Sequence, residues 1–233
     1  MAAVRGVFFL NSMDFIRGAH GADAHARILH ALPAERVAPW GRKISWSSWL
    51  SLDDLLAYME TARRLLAAAD PEFFRRMGCF GALRCRSRSI GMALSDPELA
   101  TDYGSALWHL LVDVGEMEVR PCGGGETRVR IREFPAHPAF CERILGAVEG
   151  ILSVAQRPAR VEKRACVLAG DACCEMVFVE PAPGSFRAQG EHGIDHGGPP
   201  GRQEAGHYCD HREHEGGAHE AEGVRGLHPE EQA

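Results

Sequence analysis

The residues of this chain best suited to chemistry are thiols. The run Val161 to Glu180, VEKRACVLAGDACCEMVFVE, carries Cys166, Cys173 and Cys174 around a Gly170-Asp171 pair. Val161, Ala165 and Val167 alternate with Glu162, Arg164 and Cys166, the pattern of a half-buried strand. Gly170-Asp171 supplies turn chemistry. Met176 to Val179 is β-branched and apolar enough for a second strand. Pairing about Gly170 brings Cys166 and Cys174 nearly opposite each other. Two thiols so placed form half of a metal site, a disulfide, or a small apolar pair in a core.

Other chemistries leave no mark. The sequence has no dinucleotide fingerprint, no P-loop, no H-E-x-x-H and no serine elbow. Gly123-Gly124-Gly125 follows Cys122, but no G-K-[ST] comes after it, so it reads as a turn. No local Cys-His signature marks a nucleophile. His109 and Asp113, four apart, can pair on an exposed helix face. His20, His25 and His30 are five apart and do not stack on one face, which suggests surface or capping roles. The absence of these motifs points away from an enzyme.

The elements that position the thiols follow from periodicity. Val4 to Phe9 reads as a strand, and Ser12 as the cap of a short helix. Ala22 to Leu32 is helical. Ser51 caps a clear helix with Asp53 and Asp54 in its first turn. Asp70-Pro71 opens another, and Ser95-Asp96-Pro97 another before Ser105 to Val114. Glu116 to Arg120 and Thr127 to Arg132 form a hairpin. Pro138 starts a long helix to about Ala155, with Cys141, Ile144, Val148, Ile151 and Leu152 on its apolar side. Gly146 and Gly150 weaken that helix by roughly 1 kcal/mol each relative to alanine, a cost tolerated where a backbone or ligand comes close. The order implies an α+β domain, an antiparallel sheet of about four or five strands with helices packed on one face.

The pattern C-x3-G-D-x2-C, here Cys166, Gly170, Asp171 and Cys174, resembles the closing hairpin of the 4-vinyl reductase domain. That domain is a small-molecule-binding module and the sensory part of aromatic-responsive transcriptional activators. From about Val4 to Glu180 the chain also resembles a myxobacterial paralogous family of unknown function, through VRGVFFLNSMDFIRG and LWHLLVDVGEMEV. The 4-vinyl-reductase-like architecture is shared with nitric-oxide-signalling ligand domains and TRAPP Golgi-transport subunits, and it agrees with the pattern of elements.

The resemblance implies a structural zinc. The related sensors hold it with a helix cysteine, an acidic residue and the two hairpin cysteines, which here gives Cys141, Cys166 and Cys174. The sensors place the carboxylate three residues before the first hairpin cysteine, where this chain has Lys163. Glu162 shares the face of Cys166 by alternation and is the replacement candidate. Structural zinc takes four ligands, so a metal-free cluster of buried thiols is the simpler alternative. The haem signature of gas sensors, a His followed by Y-x-S-x-R, is missing.

Aromatic residues offer surface for a small apolar or aromatic ligand between helices and sheet. Most of Trp40, Trp46, Trp49, Phe73, Phe80, Tyr103, Trp108 and Phe140 should be core. Trp108 is the first pocket candidate, since its ring N–H can orient a polar group on such a ligand.

Charge divides the chain. From Pro181 onward there are four Arg, no Lys and ten Asp or Glu, which accounts for the formal net charge of −6. Residues 1–180 are therefore balanced, which argues against nucleic acid as a partner. Seven of the twelve His and eleven of the twenty-six Gly also lie in that tail. Such a composition predicts a disordered tail over 181–233 and a folded domain over 1–180. His207, Cys209, His211 and His214 have spacings that a metal can use. The cluster RCRSR at Arg84 to Arg88 lacks interleaved aromatics and reads as a solvated face. No apolar run is long enough to span a membrane, and no signal-peptide pattern is present, so the cytoplasm is expected. The eight Cys are then mostly reduced.

These features suggest a non-enzymatic small-molecule-binding or signalling domain that acts through a protein partner or a homodimer. The alternatives are an adaptor built as a dimerisation surface, like the TRAPP subunits, and a metal- or thiol-dependent enzyme.

Overall fold

A computed structural model describes residues 2–84, 97–154 and 159–179. Every described residue belongs to one compact unit within Met1–His192. The basic residues 85–88, the helix start at Ser95-Asp96 and the His-rich tail lie outside the described residues.

In order, the elements are β1 (Ala3–Arg5), α1 (Gly6–His20), α2 (Ala22–Ala31), α3 (Ala34–Val37), β2 (Trp49–Ser51), α4 (Leu52–Leu66), α5 (Phe73–Arg84) and α6 (Pro97–Leu111). Then come β3 (Glu116–Gly123), β4 (Glu126–Arg132), α7 (Pro138–Val154), β5 (Arg160–Ala165), a single 3-10 turn (Val167–Ala169) and β6 (Cys174–Val179). A four-stranded antiparallel sheet runs in the order β3-β4-β6-β5, and β1 and β2 form a separate two-stranded ribbon. The α+β class and the antiparallel four-stranded sheet match the sequence pattern.

The first strand is shorter than expected. It stops at Arg5, and Val7 to Phe9 are already helical. Helix α1 starts at Gly6, whose backbone lies against Ser45; a Cβ there would be 2.1 Å from the Ser45 carbonyl oxygen. Ser12 is therefore mid-helix and caps nothing. Its hydroxyl donates to the Phe8 carbonyl at 2.7 Å. Ser51 holds the position before α4, but its hydroxyl makes no capping bond. Asp113 does not serve His109 either: its carboxylate accepts the Ala3 N–H at 2.6 Å and ties β1 down.

Sheet and helices meet across one apolar face. Val119, Val129, Ile131, Val161 and Met176 are buried there. The other face carries an ion-pair ladder: Arg130–Glu175 at 2.6 Å, Arg128–Glu175 at 3.5 Å and Arg132–Glu118 at 3.6 Å. Alternation of apolar and charged residues along β3 and β4 produces this division.

Helices α5 and α7 pack with almost no separation. A Cβ on Gly78 would sit 1.9 Å from the Arg143 carbonyl oxygen, and one on Gly146 1.8 Å from that of Arg75. The glycines thus let a neighbouring backbone approach. Behind this seam the Arg143 guanidinium is buried, donating to Ser12 Oγ at 2.6 Å and to the Phe8 carbonyl at 2.9 Å. Burial holds its pKa below the usual arginine range.

Candidate metal centre

Three sulfur atoms converge between α7 and the β5–β6 hairpin. The Sγ atoms of Cys141, Cys166 and Cys174 all lie within 4.8 Å of one another. Each comes from a different place in the chain. Cys141 sits in the first turn of α7, Cys166 between β5 and the 3-10 turn, and Cys174 at the start of β6. Cys166 and Cys174 are 3.9 Å apart, Sγ to Sγ. That is close to the edge of a tetrahedron with zinc–sulfur bonds of about 2.3 Å, and far longer than a disulfide of about 2.05 Å.

The turn that brings the hairpin thiols together is specified locally. Gly170 has φ of +94°, a left-handed conformation that glycine adopts without strain. The Asp171 carboxylate accepts the Cys166 N–H at 2.7 Å, and the Asp171 N–H returns to the Cys166 carbonyl at 3.3 Å. The Leu168 N–H donates to the Cys166 sulfur and the Val167 N–H to that of Cys174. Amide donors aimed at sulfur favour thiolates and hold them for a cation.

The thiols differ electrostatically. Burial, with Cys174 and Cys166 as neighbours, pushes the Cys141 thiol up to about 12. Burial also raises Cys174. Burial works in the same direction on Cys166, but the Leu168 amide and the Lys163 ammonium outweigh it and hold that thiol below its ordinary value. A bound cation would deprotonate all three.

Glu162 stands outside this group. In the β5–β6 ladder Glu162 pairs with Val177 and Lys163 with Met176, but Ala165 pairs with Glu175. One extra residue, Arg164, is therefore accommodated on β5 as a bulge. The bulge breaks the alternation from which Glu162 and Cys166 were expected to share a face. Lys163 lines the cavity beside Cys141, Cys174 and Met176. Glu162 instead forms an ion pair with Arg164 at 2.7 Å. Lys163 was not a site candidate from the sequence; the signal that finds it is the strand register. Cys173 also lies outside the three-thiol group, as alternation implies.

Trp108 is placed differently from expectation. It is buried, and its ring N–H donates to the Val114 carbonyl at 3.0 Å. That donor closes the α6–β3 connection and is not offered to a ligand. The ring meets Phe134 edge-on at 5.4 Å, and Phe134 stacks on Phe140 at 5.2 Å. The space foreseen for an aromatic ligand is thus filled here by side chains. The cavity beside the thiols, lined by Phe134, Ile144 and Leu145 among others, measures about 20 Å³. That holds a water-sized group.

A second polar cluster is buried among the helices. His25, expected at the surface, is 8% exposed, and its Nδ1 lies 2.8 Å from the Tyr58 hydroxyl. Trp40 stacks on Tyr58 at 3.9 Å.

This architecture, helices over one face of an antiparallel sheet, is that of the H-NOX domains. The chain aligns with an H-NOX domain from Shewanella oneidensis in its Fe(II)CO state at a TM-score of 0.61 and 14% identity, over 77% of this chain and 99% of that one. An Fe(II) unliganded H-NOX protein from K. algicida aligns at 0.60 and 9% identity, over 78% of this chain and 100% of that one. A third solved structure, described as probing heme distortion in the H-NOX family, aligns at 0.53 and 12% identity, over 82% and 100%. No family model matches the chain. No curated protein matches it either.

Beside the thiols the described residues leave no room for a haem. Trp108, Phe134 and Phe140 fill the layer between helices and sheet, and the adjoining cavity is about 20 Å³. Sites for larger organic groups occupy roughly 300 Å³ or more. His109 on α6 is exposed, His25 is held by Tyr58, and His137 faces Glu60 at 3.3 Å.

Proposed function

We propose that this chain is a non-enzymatic sensor or signalling domain whose responsive centre is a thiolate-bound zinc rather than a haem. Cys141, Cys166 and Cys174 would hold the ion. The observation that carries this reading is the convergence of three sulfurs from α7, β5 and β6, with backbone amides pointing at two of them. When bound, zinc joins the long helix to the last hairpin and couples their positions. Cys166, Cys174 and the G-D turn also support kinship with the 4-vinyl-reductase branch of this fold. The balanced charge of residues 1–180 and the absence of catalytic sequence motifs favour an output through a protein partner or self-association, in the cytoplasm. Among the described residues no helix is long and apolar enough to cross a membrane.

The adaptor reading has one observation of its own. Trp46 and Trp49 are 61% and 42% exposed, and the Arg5 guanidinium lies over the Trp49 ring at 4.0 Å. Exposed aromatic surface of this kind suits a protein partner.

Native mass spectrometry with metal analysis of the full chain tests the proposal. One zinc per chain is expected, lost in Cys141→Ser and in Cys166→Ser, with no haem absorbance. Stoichiometric haem, or zinc content unaffected by both substitutions, would overturn it. The substitutions also separate this site from any metal held by His207, Cys209, His211 and His214.

A further inference from the structure

We infer that the metal centre keeps an open fourth position beside Lys163, and that this position takes the donor atom of a small anion. The inference rests on the metal reading above and names what that centre would bind.

Three observations converge. The first is the donor set. Among the described residues the cluster offers three thiols and no carboxylate or imidazole within reach. Zinc with three protein ligands retains a position for an exogenous donor, whereas a structural site is closed by a fourth. The nearby carboxylates are otherwise engaged. Glu175 lines the cavity but is bound to Arg130 at 2.6 Å and Arg128 at 3.5 Å. Glu142 lies 3.8 Å from the Lys163 ammonium.

The second observation is space. A cavity of about 20 Å³ adjoins Cys141 and Cys174, with Ile144, Leu145 and Met176 as its apolar walls. It admits one water-sized donor atom next to the sulfurs. The third is charge. Alternation from Val161 puts Lys163 at this cavity, opposite Met176, and its side chain is 32% exposed, so the site is reached from solvent. Three thiolates and a divalent ion sum to −1, and the Lys163 ammonium, shared with Glu142 at 3.8 Å, is the cationic group at the opening. An entering anion therefore meets a cationic side chain and a metal, while a neutral donor gains only the metal.

The test uses the full chain loaded with Co(II), whose ligand-field bands report coordination and whose charge-transfer bands report thiolate ligands. Azide is expected to shift the ligand-field bands saturably while the thiolate bands persist, and neutral imidazole to bind more weakly. Lys163→Met should weaken azide binding about tenfold with the thiolate bands unchanged. Lys163→Glu should supply the missing donor, abolish the azide response and tighten metal binding. Azide without effect on a cobalt protein that shows thiolate bands would overturn this inference and leave the metal reading standing. So would Lys163→Met binding azide as tightly as the parent. Failure to form thiolate bands at all would overturn both.

Discussion

At the scale of single residues, burial sets most of the chemistry. Burial pushes the Cys141 thiol up to about 12, whereas Cys166 is relieved by an amide and an ammonium. His25 follows the same rule. Burial, with Arg17 nearby, holds its pKa below the ordinary value, so the folded chain keeps it neutral against Tyr58. A depressed pKa means that the unfolded chain binds the proton more readily. Stability is then fully present above the unfolded value, about 6.5, and falls as pH drops below it. Urea midpoints at pH 7.5 and pH 5.5 should differ, with the lower at pH 5.5. His25→Gln, which keeps a polar partner for Tyr58, should shrink that difference. His20, also depressed by burial, would account for what persists. A midpoint independent of pH in the parent chain would contradict this account.

Between elements, glycine decides which surfaces meet. Helix α7 presents Gly146 and Gly150 toward α5, with Arg75 and Cys79 backbone atoms where side chains would stand. Gly146→Ala forces a carbon to within 1.8 Å of a carbonyl oxygen. Neither backbone can yield without separating the helices, so the change should cost about 3 kcal/mol of folding stability, read by denaturant titration. Gly18→Ala makes the comparison: no atom lies within 4 Å of its added carbon. It should be neutral or stabilising, by up to about 1 kcal/mol. A loss at Gly146 no larger than that at Gly18 would show that the α5–α7 approach does not set the cost. The periodic faces of these helices were legible in the sequence. That the glycine cost is repaid by a helix, and not by a ligand, was not, because periodicity says which face is buried and nothing about the partner.

Across the whole molecule, the three thiols link segments far apart in sequence. A bound ion therefore stabilises only the folded chain. At metal concentrations about a thousandfold above the dissociation constant the gain is about 4 kcal/mol. Stripping zinc with a chelator should lower the unfolding midpoint by that order, and Cys166→Ser should abolish the shift. A parent protein whose midpoint ignores the chelator would speak against the centre.

The sequence by itself determined the α+β class, the two late hairpins, the long helix from Pro138 and the approach of Cys166 to Cys174. These follow from short-range rules: alternation, turn chemistry at Gly170-Asp171 and apolar periodicity. Only the tertiary structure decided which charged residue faces the thiols. Strict alternation groups Glu162 with Cys166 and Lys163 with Val161, but pairing with β6 accommodates Arg164 as an extra residue and brings Cys166 to the Lys163 face. It also decided the fate of Trp108, whose N–H is taken by the Val114 carbonyl. A bulge and a backbone acceptor are both properties of the partner segment, so neither is written in the residues on which it acts.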